Sequence, residues 1–262
     1  MKNQKERLLA IDNMKAFLIG CVVLGHLCEV IRFPYSSYLY LLIYSFHMPA
    51  FVFLSGFCSS REVHYDKIAR NYIMALLVGF DESVGYYMSL SRAIVFFPFF
   101  LAGFYGKEYG KIVFPQCFGV TISHKQILRV TTATVAVGIA ILLFEYRKGI
   151  KVSWLYQAAA YEKWHYNAAI RLGAIICAVL MIHFLCVCTP NRKIPFVTKL
   201  GQNTMPVFLL HGFVIRLLKY YPIPVMKQSP VLWSVLLIVL LLSVLSSKTV
   251  KKLCKPILSY PF

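Results

Sequence analysis

Long apolar windows constrain this chain more than any other feature. Eight of them, around 14–32, 38–58, 68–80, 93–105, 130–146, 170–188, 204–220 and 230–247, cross or nearly cross a hydrocarbon core of about 30 Å when coiled as helices. The expected fold is therefore an all-α integral membrane protein of about eight transmembrane helices. The third and fourth windows are short, about a dozen residues each where roughly 20 are needed. They read as half-helices, or as the ends left by an internal loss.

Composition supports the bilayer as solvent. Of 262 residues, 59% are hydrophobic and 15% charged, against about 45–50% apolar for soluble domains. The net charge of +18 would suit nucleic acid, but no basic run is interleaved with aromatics in a polar context, so no nucleic-acid partner is expected. The charge instead flanks the windows. With the N-terminus inside, eighteen Lys and Arg fall in inner segments and nine in outer ones, with Arg216 inside a window. This asymmetry predicts cytoplasmic N- and C-termini, and a multi-pass protein of the cell (cytoplasmic) membrane with the lipid bilayer as its first partner.

The eight cysteines sit mostly in or beside apolar runs at no regular spacing. Cys186 and Cys188 match neither a zinc knuckle nor a redox pair, so buried free thiols and no metal site are expected. "MKNQKERLLAIDNMK" leads into an apolar run with no small-residue cleavage site, and it reads as the start of the first span. Segment 147–169, with Trp154, Tyr156, Tyr161, Trp164 and Tyr166, is too polar to span and predicts an outer interfacial helix. Segment 106–129 has no strong pattern and reads as loop.

Ionisable groups inside spans are costly and generally face a protein interior or water-filled cavity. Here they are His26, Glu29, His47, His183, His211 and Arg216. On a helix, Lys15 and His26 lie eleven residues apart, about 20° short of one line and about 16 Å along the axis. Asp12, Lys15, Val22, His26 and Glu29 thus form one stripe. An imidazole beside a carboxylate can take a proton from a hydroxyl near neutral pH, with Glu29 orienting it or turning out to the interface. A His satisfied by a neighbouring helix is the structural alternative. In the second window, "IYSFHMPAFVFLSGF", Pro49 should kink the helix near His47. That places His47 about 14 Å deep, near the level of His26.

Four segments together resemble membrane-bound acyltransferase family 3, and within it the proteins similar to fucose 4-O-acetylase. They are "IDNMKAFLIGCVVLGH", where a basic residue, ten others and a histidine are met by Lys15 and His26; "FHMPAFVFLSG"; "RAIVFFPFFLAGFYG"; and "LGQNTMPVFLLHGFVI". The resemblance implies one membrane acyltransferase domain over 1–262. Its reaction would pass an acyl group, usually acetyl, from cytoplasmic acetyl-CoA to a hydroxyl of an envelope or exported carbohydrate, with no tightly bound cofactor. On that reading His26 is the base or forms an acyl-histidine, with Glu29 beside it. His47 and Arg216 are candidate oxyanion donors, while Lys15, Asp12, His211 and Arg216 belong to the CoA side. Family members usually have about ten spans, which places a candidate internal deletion near residues 80–81. Two other readings stay open: an inserted but inactive shortened acyltransferase, and a transporter or flippase using the same His and Arg.

Overall fold

The computed structural model describes residues 8–59, 90–109, 113–115, 122–156, 165–221 and 228–258. Regular structure among the described residues is helical, with no strand. In chain order the helices are α1 (Leu9–Val30), α2 (Ser36–Tyr44), α3 (His47–Cys58), α4 (Leu90–Gly106), α5 (Ile122–Glu145), α6 (Val152–Leu155), α7 (Ala168–Cys188), α8 (Pro195–Gly201), α9 (Thr204–Tyr220), α10 (Pro230–Leu245) and α11 (Lys248–Leu258).

Four stretches are long and apolar enough to cross a membrane: Leu9–Val30, Ser36–Cys58, His124–Glu145 and Ala168–Cys188. A fifth is added if α10 and its bent continuation count as one span. The expected eight are met only to that extent. The window 68–80 and the junction at 80–81 lie outside the described residues. The windows 93–105 and 204–220 form 17-residue helices, one carrying Arg92 and Pro98, the other His211, Arg216 and Lys219.

The chain divides into two compact units, Met1–Tyr40 with Thr189–Phe262, and Leu41–Cys188. In the first unit α1 packs against α8, α9 and α10, and 67% of its apolar window is buried, which makes it the unit's central helix. Its start is fixed by polar contacts. The Asn13 amide donates to the carbonyls of Pro190 and Arg192, at 2.9 Å each, and its oxygen accepts the Thr198 hydroxyl at 2.7 Å. Thr198 in turn accepts the Ile194 amide, and the Ala10 amide donates to Asn191. The turn before α8 is thereby clamped on α1. Gly201 completes the clamp, because any Cβ there would overlap the Asp12 carbonyl.

The expected bend near His47 is a two-residue interruption at Ser45 and Phe46, between α2 and α3, within the single stretch Ser36–Cys58. Pro49 falls in the first turn of α3, where its missing N–H costs no helical bond. The Ser45 hydroxyl donates to the Leu42 carbonyl and the His47 ring bonds the Ile43 carbonyl, which satisfies acceptors freed by the break. Helices α3 and α4 meet through paired glycines: a Cβ on Gly56 would strike the Phe100 carbonyl, and one on Gly103 the Phe53 carbonyl. Small residues permit such close backbone approach where lipid supplies no hydrophobic drive between helices.

Helix α7 packs against α3, α5 and α6. Between α3, α4 and α7 lies an apolar cavity of about 170 Å³ lined by Phe53, Phe99, Val179, Ile182, His183 and Cys186. Helix α5 starts at Ile122, so segment 106–129 is not loop throughout. Further along, the Thr131, Thr132 and Thr134 hydroxyls return to carbonyls of the preceding turn, which hides polar groups from lipid. Only 11% of its apolar window is buried, so most of its flank, including Val130, Val137 and Ile141, is open to lipid.

Within segment 147–169, residues 157–164 lie outside the described set, and the rest contains the single turn α6. Tyr166 there is buried against Trp154 and Ile170. Its hydroxyl accepts the Arg171 Nε–H at 3.1 Å, with the guanidinium 5.2 Å from the ring. Arg171, an outer charge by sequence, is fully buried.

Candidate active site

Helix α1 carries the expected stripe. Asp12 is buried, Lys15 is half-buried and Val22 is buried, while His26 and Glu29 keep 36% and 37% of their side-chain surface open. The far end of the stripe is therefore the accessible one. There Glu29 Oε1 stands 3.5 Å from His26 Nδ1, and the same oxygen accepts the Tyr40 hydroxyl at 2.7 Å. Tyr40 lies on α2, eleven residues on, so the connection after α1 folds a phenol back onto the carboxylate.

This row has a chemical direction. A carboxylate facing Nδ1 favours the tautomer with its proton on Nδ1, which leaves Nε2 as the basic nitrogen. The 3.5 Å separation is long for a hydrogen bond, as is common for catalytic pairs in the absence of substrate. The Tyr40 bond restrains the carboxylate, and the carboxylate restrains the ring.

A second imidazole meets the first. The His211 ring lies 5.3 Å from that of His26, tilted by 38°, and is itself buried. Its Nδ1 is 3.0 Å from the Val207 carbonyl. A carbonyl only accepts, so Nδ1 carries the proton and the neutral ring leaves Nε2 as acceptor.

At the other end of the stripe, Gln202 Nε2 donates to Asp12 Oδ2 at 3.3 Å. This contact joins α1 to the turn that opens α9, about 21 Å from His26 along the helix. Arg216 is exposed. It stands five residues beyond His211 and about 140° round α9 from it, so it does not share the His26-facing side. His47 belongs to the second unit. It is buried, bonded through Nδ1 to the Ile43 carbonyl at 2.8 Å, and lies edge-on to Tyr44 at 4.7 Å. Tyr44 meets Tyr156, and Arg92 lies over the Tyr156 ring.

Of the residues singled out by sequence, the structure gathers His26, Glu29 and His211, with Asp12 and Lys15 further along the same helix. Tyr40 and Asn13 were missed. Asn13 stands two residues before Lys15 inside the first motif, which was the one available signal. Tyr40 had none beyond being a tyrosine near a helix start.

The family profile described as an acyltransferase domain matches residues 68–248, more than half of the chain. The chain belongs to acyltransferase family 3. It is a multi-pass membrane member of that family, helical in regular structure throughout its described residues, and acyl transfer is the family's general chemistry. The matched range begins after α3, so Lys15 and His26 precede it. No curated protein and no solved structure matches the chain.

Proposed function

We propose that the protein transfers an acyl group, acetyl in the simplest case, from acetyl-CoA to a hydroxyl of an envelope or exported carbohydrate, with His26 as general base. The observation that carries the reading is the row from Tyr40 through Glu29 to His26. It supplies an oriented, accessible imidazole on a helix that should be apolar throughout.

In the step proposed, the acceptor hydroxyl gives its proton to His26 Nε2 as its oxygen attacks the thioester carbonyl. The tetrahedral intermediate collapses, the C–S bond breaks, and the CoA thiolate leaves and takes up the proton held by the imidazolium. Glu29 stabilises that transient imidazolium from the Nδ1 side. His211 presses on the ring and limits its rotation. Lys15 lies about three turns and Asp12 about four turns away towards the N-terminal end of α1, where a cation suits the phosphates of CoA as a point charge.

The test is transfer of label from radiolabelled acetyl-CoA to isolated envelope glycan by membranes with and without the protein. Label that appears only with the protein supports the reading. Glycan that stays unlabelled, with the protein present and folded, contradicts it.

A further inference from the structure

Helix α11 is not explained by acyl transfer. It follows α10 after a bend of 59°, so it leaves the direction of the preceding apolar helix just as the sequence changes from Leu and Val to Lys. At 100° per residue, Lys248, Lys251 and Lys252 fall within an arc of about 100°, and Val250, Leu253 and Cys254 within a facing arc of similar width. The three lysines are exposed and Cys254 is buried. Leu253, at the edge of the apolar arc, is 73% exposed. Part of the apolar side thus packs on α9 and α10, and part of it is uncovered.

We infer that α11 is an interfacial helix that binds anionic phospholipid headgroups of the leaflet at its end of α10 through Lys248, Lys251 and Lys252. Three cations within one turn oppose continuation into hydrocarbon. A bent helix with segregated faces instead lies in the interface plane, with Leu253 reaching the acyl boundary and the lysines at the phosphate level. The Lys251 ammonium donates to Asn203 Oδ1 at 2.7 Å, and the Asn203 amide donates to the Lys199 carbonyl. That anchor at the start of α9 fixes the rotation of α11, so the lysine face is presented in one direction. Each lysine held near an anionic surface contributes about fivefold to the association.

The experiment reconstitutes the full chain into nanodiscs of phosphatidylcholine alone, or of phosphatidylcholine with phosphatidylglycerol, and follows amide hydrogen exchange over residues 248–258. Exchange should slow by about an order of magnitude or more in the anionic discs, and the difference should shrink at high salt. Lys248→Gln with Lys252→Gln spares the Asn203 contact and should remove most of the difference while the protein elutes as wild type. Inorganic phosphate added to phosphatidylcholine discs should not reproduce the protection. Equal exchange in both discs, a difference unchanged in the double variant, or full protection by free phosphate would each overturn the inference. None of these readouts depends on acyl transfer.

Discussion

Tyr40 and Glu29 are joined by a 2.7 Å hydrogen bond from phenol to carboxylate, and the oxygen that accepts it is the one facing His26. Two residues on separate helices thereby restrain a third inside an apolar span. In the reaction proposed, Tyr40 is a positioning residue, acting through Glu29.

Tyr40→Phe removes only the hydroxyl. The bond is exposed, so its loss should cost at most about 1.5 kcal/mol, about a two- to tenfold fall in kcat with KM for acetyl-CoA little changed. Glu29→Gln should lower kcat further, because the neutral amide cannot stabilise an imidazolium. Kinetics that move KM and leave kcat unchanged would assign both residues to binding.

Asn13→Ala should destabilise the first unit without touching the chemistry. It leaves the part-buried carbonyl acceptors of Pro190 and Arg192 and the buried Thr198 hydroxyl without this partner, on the order of 2 kcal/mol in total. Asn13→Asp should not rescue it, since a carboxylate cannot donate to the carbonyls of Pro190 and Arg192. Thermal unfolding in detergent is the measurement, with Thr198→Val expected to show a smaller loss.

The glycines separate packing from propensity. Gly56→Ala, Gly103→Ala and Gly201→Ala each place a methyl on a backbone carbonyl of a neighbouring helix, and should cost about 1–3 kcal/mol or prevent accumulation. Gly138→Ala meets nothing within 4 Å and should be neutral or stabilise slightly, because alanine favours helix. Yield of monodisperse protein after size exclusion reads both outcomes.

Much of this architecture is legible in one dimension because lipid leaves the backbone few choices. Hydropathy located α1 to within five residues and α7 and α10 to within two, and Pro49 marked the interruption before His47. Helical spacing placed Lys15, His26 and Glu29 on one stripe. What it could not supply were partners that arrive from elsewhere in the chain. Tyr40 reaches Glu29 through the fold of a short connection, and His211 reaches His26 from 185 positions away along the sequence. Asn13 looks like a polar residue tolerated at a helix start, yet its bonds go to a turn that follows α7. Arg171 shows the same limit: a charge count assigns it to a loop, whereas Tyr166 draws it into the interior. The start of α5 was lost for another reason, since Ser123, His124, Lys125, Gln126 and Arg129 make residues 122–129 read as polar.

In the reaction proposed, His26 takes the proton. The most direct test of that step is the single-turnover rate of transfer from labelled acetyl-CoA to glycan by purified wild type and by His26→Gln, a variant whose folding is verified by its elution and melting. His26→Gln should slow the chemical step by about a hundredfold or more, with acetyl-CoA binding retained. A His26→Gln protein that transfers label at the wild-type rate would contradict it.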